Sequence, residues 1–139
     1  MRYHPWRDAR ARSTLDIVFV DGLPTGMRGR CRGDRIEIRS DALQVERRCT
    51  LAHELVHHER GGVPADPILL AREETHVEAI AARRLVTLDR LVDALTWTRH
   101  AAELADELWI DQIMLAAYIE SLTPDERAWI DRELSRRAA

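Results

Sequence analysis

The sequence has no lysine, only two cysteines, few aromatic side chains and no long hydrophobic run. All 21 basic residues are arginines, and together with the alanine-rich segments this indicates a GC-rich genome rather than a particular activity. Two cysteines without short paired spacing exclude the disulfide framework of a small secreted domain. We therefore expect Cys31 and Cys49 to be reduced, buried thiols.

No apolar run approaches the roughly 20 residues that cross a bilayer. The N-terminal segment contains arginines and is interrupted by Asp16 and Asp21, unlike a signal peptide. We expect a soluble protein of the bacterial cytoplasm with no membrane partner. Repeats and low-complexity tracts are also absent. With 139 residues, of which 45% are hydrophobic and 32% charged, the chain is large enough for one domain with its own core.

The charge is unevenly distributed along the chain. Residues 1–48 contain 11 arginines and 7 acidic residues, whereas residues 49–139 contain 10 arginines and 17 acidic residues. The basic excess is far smaller than the basic stripe of a nucleic-acid-binding protein. Residues 100–126 have the cadence of a helix-turn-helix, but their seven acidic residues and no arginine would repel DNA phosphates. We expect this segment to pack or to bind protein rather than DNA, with core or interface anchors at Trp97, Trp109, Met114 and Trp129.

The hydrophobic pattern predicts an α+β fold, in which a small sheet precedes several helices. The segments "LDIVFV" (15–20) and "RIEIRS" (35–40) are strand candidates, and the glycine-rich segment between them predicts turns around a short middle strand. We expect an antiparallel sheet, and a poorly packed, arginine-rich arm over residues 1–13. The predicted helices run from Ser40 or Asp41 to about Arg60, over about 68–86, 89–97, 101–108 and 111–122, and from Thr123 and Pro124 onward.

The segment "TLAHELVHHERGG" (50–62) carries the strongest functional pattern in the chain. His53 and His57 are four residues apart, so on a helix their rings project from one face and can converge on one ion. Zinc binds neutral imidazoles, and the adjacent Glu54 can take a proton from water and pass it to a leaving amine. The alternative is a surface helix with solvated histidines. Apolar neighbours argue against it, because buried His and Glu without partners are costly; these neighbours are Leu51, Ala52, Leu55 and Val56.

A catalytic zinc site needs a third protein ligand and an open position. Cys49 is a poor candidate, because it lies about 12 Å from His57 along the helix axis. The next helix, "AREETHVEAIAARRLV", offers Glu74 and Glu78 one turn apart. One of them could bind the metal while the other accepts a hydrogen bond from a ligand histidine. We expect the other polar residues nearby to be solvated or ion-paired: His58, Glu73, His76, Arg83 and Arg84.

These segments resemble the ImmA/IrrE family of metallopeptidases over about residues 15–90. The segment "LAHELVHHE" matches the HExxH helix of that family closely, and "EETHVEAIAARRL" matches its second helix more loosely. The resemblance implies that a small sheet packs on a zincin-like HExxH helix and on a second helix that carries glutamates. It also implies Zn²⁺ ligands at His53, His57 and Glu74 and a general base at Glu54. The alternative third ligand is Glu78, which stands where the family often has Asn or Asp.

The resemblance further implies a zinc-dependent endopeptidase that cleaves a helix-turn-helix repressor and so derepresses phage, mobile-element or stress genes. The short, lysine-free form looks like phage or prophage members. We expect a zincin-like core with its arm in residues 1–90 and a helical subdomain in residues 91–139. The alternative function is a non-catalytic protein of the same fold that sequesters a repressor, but Glu54 favours the enzyme, since a structural metal needs no general base. Candidates for the oxyanion donor are Tyr3, His76 and Tyr118.

Overall fold

The structure, a computed structural model, describes residues 2–139. This part of the chain folds into three strands and seven helices, which confirms the α+β prediction. None of these helices combines the length and the apolar composition needed to cross a membrane. In chain order the elements are α1 (Pro5–Ala11), β1 (Asp16–Val20), β2 (Gly29–Arg32), β3 (Arg35–Arg39), α2 (Gln44–Arg60), α3 (Pro67–Leu85), α4 (Leu88–Leu95), α5 (Ala101–Leu108), α6 (Gln112–Ser121) and α7 (Pro124–Ala138).

The sheet is mixed, with the strand order β1-β3-β2. β2 pairs antiparallel with β3, as predicted, but β1 pairs parallel with β3, with Ile17 opposite Ile36. The prediction of an antiparallel sheet is therefore wrong for β1. The connection over residues 21–28 carries the chain past the position of β3, and the tight turn at Gly33, whose φ is +58°, brings β3 back between the other two strands. β2 is left at the edge of the sheet.

α2 is the central helix, and its faces contact different layers. Leu51 and Leu55 pack against the sheet, where Ile36 and Ile38 are fully buried. Another face joins the larger core of the helical half, so two cores fix the position of α2. The residues on this second face are Cys49, Ala52 and Val56.

Residues 5–11 form the helix α1, in contrast to the predicted poorly packed arm. Ala9 is buried in the same cluster as the sheet residues. Arg12, just after α1, donates hydrogen bonds to the Leu55 carbonyl (3.0 Å) and to Glu59 (2.5 Å) on α2. A helix of two turns is not stable alone in water. These tertiary contacts stabilise it, and no local pattern in the sequence reports them.

α2 begins at Gln44 rather than at the predicted caps Ser40 and Asp41. Both residues belong to the turn after β3, where Ser40 donates to Asp21 and the side chain of Asp41 accepts from Arg39. Instead, the Glu46 carboxylate accepts a hydrogen bond of 2.8 Å from the backbone N–H of Leu43, the residue before the helix. The other predicted helices lie within two residues of the observed ones.

The helices α3 to α7 and one face of α2 share the largest hydrophobic core. Ala81 and Ala82 are completely buried, as expected for a helix that packs closely on its neighbours. This core includes residues on both sides of position 90, where the zincin-like and C-terminal parts were predicted to meet; that division stays a prediction. Of the four expected anchors, Met114 is buried and Trp129 packs on the core, whereas Trp97 and Trp109 are exposed.

Candidate metal centre

α2 and α3 bring two histidines and a glutamate together. His53 and His57 lie one turn apart on α2, with ring centroids 4.9 Å apart. The Glu74 carboxylate of α3 lies against both rings: Oε2 is 2.9 Å from Nε2 of His53, and Oε1 is 2.9 Å from Nε2 of His57. Within residues 2–139, these three form the group whose donor atoms, all within 4.8 Å of one another, could hold a metal ion.

Glu78 lies on the opposite side of the His53 ring from Glu74. Its Oε1 is 3.5 Å from Nδ1 of His53, too long for a good hydrogen bond. Nδ1 of His53 and of His57 are both buried and have no hydrogen-bond partner among residues 2–139. Glu74 thus faces both Nε2 atoms, whereas Glu78 faces only one Nδ1 atom. This arrangement favours Glu74 as the third ligand and Glu78 as a residue that orients His53.

The three side chains fit a zinc ion by donor type and by spacing. Two imidazoles and one carboxylate are a donor set found at catalytic zinc sites. Tetrahedral ligands about 2.0–2.1 Å from an ion lie roughly 3.3 Å apart. The donor atoms of the three side chains all lie within 4.8 Å of one another, so a shift of about 1.5 Å or less would bring them to this spacing.

Glu54 is buried beside this group, with 5% of its surface exposed. Its carboxyl makes no hydrogen bond to another residue of the described chain. Burial raises the pKa of Glu54 to about 7, and the charges of Glu74 and Glu78 add to this rise, although His53 opposes it. A carboxyl with a pKa near the working pH can both take up and release a proton, as a general base and acid must.

The pKa values of the two histidines move in opposite directions. Burial lowers the pKa of both rings, and in His57 it prevails. In His53 the contacts with Glu74 and Glu78 and the charge of Glu54 outweigh burial and raise the pKa to about 10. The hydrogen bond from His53 lowers the pKa of Glu74. Because zinc requires neutral imidazole, metal binding is expected to release the proton of His53.

The group lies in a cleft of about 920 Å³ between β2 with its preceding loop on one side and α3 on the other. Gly29 brings β2 onto α2, since a Cβ there would lie 2.6 Å from Cγ2 of Thr50 and 2.8 Å from the carbonyl oxygen of Glu37. The same point is 3.7 Å from Cγ of Glu54. The edge strand therefore runs directly beside the candidate general base.

The free edge of β2 can pair with another extended chain. The N–H of Arg39 donates to the carbonyl of Arg28 (3.1 Å). Because antiparallel ladders alternate, the N–H and C=O groups of Gly29 and Cys31 face away from β3, toward the cleft that both residues line. Main-chain pairing along such an edge is a common mode of peptide recognition.

None of the expected oxyanion donors lines the cleft. Tyr118 is buried in the helical core under the guanidinium of Arg83, Tyr3 donates a hydrogen bond to Asp8, and His76 is exposed on α3. Among the cleft residues that were not predicted, Thr50 and Gly29 lie close to Glu54. Thr50 could have been found, because it precedes Glu54 by four residues and so shares its helix face. No local signal indicates that Gly29 meets α2.

The remaining polar residues have specific partners. His58 lies between Arg12 and Asp34, with its two ring nitrogens 3.0 Å and 2.8 Å from them, and is not simply solvated. Glu73 pairs with Arg60 at 2.6 Å, as expected for an ion-paired surface residue. Arg83 and Arg84 were expected to be solvated or ion-paired, and each forms an ion pair: Arg83 with Glu126, and Arg84 with Glu59.

The cysteines are free, as predicted. Cys49 is buried as predicted, with 1% of its surface exposed, whereas the prediction that Cys31 is buried is wrong: it lies on the edge strand β2 and is only half-buried. Burial raises the pKa of Cys49 to about 12 and that of Cys31 to about 11, so neither is a reactive thiolate at neutral pH. Both line the cleft, and Cys49 also belongs to the helical core.

Comparisons of the chain with protein-family models, with curated proteins and with solved structures found no match. A fold by itself would not define the activity, because one architecture can carry many chemistries. The function is therefore inferred from the side chains of the cleft and their geometry.

Proposed function

We propose that the protein is a zinc-dependent endopeptidase. The observation that carries this proposal is the convergence of His53, His57 and Glu74 beside the buried carboxyl of Glu54 in a single cleft. A structural zinc site is usually closed by four protein ligands, whereas a catalytic site has three and an open position. A buried glutamate that titrates near neutral pH is also costly to keep unless it is used.

In this proposal Nε2 of His53, Nε2 of His57 and the Glu74 carboxylate hold the ion. Zinc supplies a Lewis acid that polarises a peptide carbonyl and acidifies water. Glu78 restricts the His53 ring through its contact with Nδ1. The tight packing of α2 between two cores keeps the histidines in place, so the ligands are oriented before the metal binds.

Glu54 moves the protons of the hydrolysis. Its carboxylate takes a proton from the attacking water as the new C–O bond forms, and returns it to the leaving amine as the C–N bond breaks. The carboxyl ends the reaction in its initial state. In the metal-free protein burial raises the pKa of Glu54 to about 7, which makes its carboxylate a stronger base than that of an exposed glutamate.

The substrate is proposed to be a protein segment in extended conformation. Gly29 and Cys31 offer backbone donors and acceptors along the cleft, and their pairing would bring a scissile bond over Glu54. The likeness of the two helix motifs to the ImmA/IrrE family supports a helix-turn-helix repressor as the protein that is cut. The acidic charge of residues 100–126 supports contact with a protein rather than with DNA.

The proposal is tested first by metal content. Elemental analysis of purified wild type is expected to show about one zinc ion per chain, as three converging ligands require, and His53→Ala is expected to lose it. His58→Ala is the matched control, because this neighbouring histidine contacts Arg12 and Asp34 outside the cluster. Absence of zinc from wild type after reconstitution, or equal loss in both variants, would contradict the assignment.

Catalysis is tested separately with denatured casein and mass spectrometry of the products. Glu54→Gln is expected to retain zinc and to lose cleavage by a factor of at least about 100, because it cannot accept the proton. Equal cleavage by the wild type and this variant would remove Glu54 from the mechanism. Stoichiometric zinc with no cleavage of casein or of a helix-turn-helix repressor by wild type would favour the non-catalytic alternative.

A further inference from the structure

The N-terminal half of α3 extends beyond the hydrophobic core. The buried residues of this helix begin only at Val77. Its first turn and the preceding loop nevertheless contain large apolar side chains: Val63 is 51% exposed, Ile68 75% and Leu69 49%. Together with the half-buried Leu70, these residues are called the apolar rim.

The apolar rim is not explained by the stability of the fold. Asp66 caps α3 by accepting hydrogen bonds from the N–H groups of Ile68 (2.9 Å) and Leu69 (3.0 Å), and this cap needs no particular side chain at either position. Single exposed hydrophobic residues are common on proteins. A cluster of three within seven residues, however, is a feature of binding surfaces.

The apolar rim is continuous with the cleft. Val63 and Leu70 line the cleft together with His57 and Glu74. Leu70 precedes Glu74 by four residues, so the two side chains are neighbours about 5–6 Å apart on one face of α3. An extended peptide advances about 3.3 Å per residue. Since Glu54, Val63 and Leu70 line the same cleft, a side chain a few residues from a peptide bond beside Glu54 can reach the apolar rim, three residues being roughly 10 Å of extended chain.

The charges around the cleft also define what can bind. Arg60 and Glu73, beside the rim, neutralise each other at 2.6 Å. The two arginines that line the cleft, Arg28 and Arg30, are paired with Asp111 and Glu37. The floor of the cleft contains three carboxyl groups, which disfavour an acidic side chain near the scissile bond. These groups belong to Glu54, Glu74 and Glu78.

We propose that the apolar rim is a specificity site for a large aliphatic or aromatic side chain within three residues of the scissile bond. The inference deepens the proposed function and rests on it for the identity of the cleft. It defines the substrate as an extended, non-acidic segment with a large apolar residue. Because such residues are mostly buried in folded proteins, the substrate presents this segment in a linker or after local unfolding.

The inference is tested by fluorescence anisotropy on zinc-loaded Glu54→Gln protein, which binds peptides without cutting them. The probes are fluorescein-labelled glycine–serine peptides with a central phenylalanine, serine or aspartate. The phenylalanine peptide is expected to bind about tenfold more tightly than the serine peptide, and the aspartate peptide more weakly still. Adding Ile68→Ser and Leu69→Ser is expected to abolish the preference for phenylalanine without changing zinc content.

Leu43→Ser is the matched control, because this leucine is 68% exposed and precedes α2, at the opposite end of that helix from the apolar rim. Its introduction is expected to leave the preference intact. Equal affinities for the three peptides, or a preference that survives the two rim substitutions, would overturn the inference. So would a dimer of the chain that the rim substitutions dissociate while the preference stays unchanged, since the rim would then be covered by a second copy.

The two proposals fail separately. If wild type binds the phenylalanine peptide through the rim but leaves it uncut, the apolar site stands and the endopeptidase proposal fails for that peptide. If wild type cuts casein at sites without a large apolar residue within three positions, the endopeptidase proposal stands and the specificity site is refuted.

Discussion

The two sides of α2 differ in how they are packed. On the sheet side, the buried cluster contains five residues of the described chain, whereas the cluster on the helical side contains 20. The helical side fixes α2 against α3 and so holds the spacing of the histidines and Glu74. The sheet side is thin, yet it supplies the edge strand that borders the cleft. We therefore expect the helical side, which holds the candidate metal ligands, to open rarely, and the sheet side, which borders the substrate cleft, to open more easily.

The candidate site occupies the remaining face of α2, which joins neither core. Its polar groups are buried between the two layers without contributing apolar contacts. His57 and Glu54 are 7% and 5% exposed, and Thr50 and both Nδ1 atoms lack hydrogen-bond partners within residues 2–139. This face therefore reduces the stability that the other two faces supply, a common cost of functional sites.

The largest loss of stability is expected when neighbouring residues on the two packed faces of α2 are truncated. Leu55→Ala is expected to lower the free energy of unfolding by about 3 to 4 kcal/mol, because it leaves a cavity in the small cluster. In this variant the rate of amide hydrogen exchange should increase selectively in β1, β2 and β3. Val56→Ala, the matched change toward the helical core, should not show this selectivity. If Leu55→Ala accelerated amide exchange equally in the sheet and in the helical half, the sheet would not open as a separate layer.

Glu54→Gln should stabilise the metal-free protein in a pH-dependent manner. Burial raises the pKa of Glu54 to about 7 from 4.5, so the folded state favours the protonated carboxyl. The stability this provides is full below pH 4.5 and is lost as the pH rises through 7. At pH 8 the variant should be more stable by about 3 kcal/mol, and at pH 4 the difference should nearly vanish.

Denaturation in the presence of a chelator measures this gain. Glu73→Gln is the control, because the hydrogen bond from Arg60 lowers the pKa of that partly buried carboxyl instead of raising it. This control should show no gain at pH 8. A pH-independent difference between wild type and Glu54→Gln would contradict the burial of an ionised Glu54.

Two glycines test the contact between β2 and α2. Gly29→Ala is expected to cost about 2 kcal/mol, because the new Cβ overlaps Thr50 and a backbone oxygen that cannot rotate away. Gly62→Ala meets nothing within 4 Å and should change stability by less than about 0.5 kcal/mol. Urea denaturation compares them. Similar stabilities would mean that the edge strand does not press on α2 as described.

The smallest change in stability is expected from loss of the ion pair between Arg83 and Glu126, which joins α3 to α7 within the helical half. A double-mutant cycle to alanine should give a coupling of about 0.5 to 1 kcal/mol. The hydrogen bond from Arg83 lowers the pKa of Glu126 to about 2. The coupling should therefore be complete above pH 4.5 and decline as the pH falls toward 2. A coupling that stays constant over that range would exclude a charge–charge origin.

Much of the fold could be predicted because its signals are local. The helices after residue 66 have periodic apolar residues and capping side chains, as at Thr123, and the bounds that were predicted for them, including the start of α7, lie within two residues of the observed ones. The predicted start of α2 was wrong because Ser40 and Asp41 form hydrogen bonds within the turn after β3 instead of capping the helix. α1 and the parallel pairing of β1 depend on contacts distant in sequence, such as that of Arg12 with Leu55.

Helix geometry alone accounts for the part of the candidate site that could be predicted from the sequence. A spacing of four residues on an α-helix places His53 and His57 side by side whatever surrounds them, and Glu54 next to them. Glu74 and Glu78 share a helix face for the same reason, so local spacing could not distinguish them. The choice between the two glutamates depends on tertiary structure, because the position of α3 along α2 places Glu74, not Glu78, between the two Nε2 atoms. That position depends on the packing of Ala81 and Ala82 in a core built by several helices, which local sequence patterns do not report.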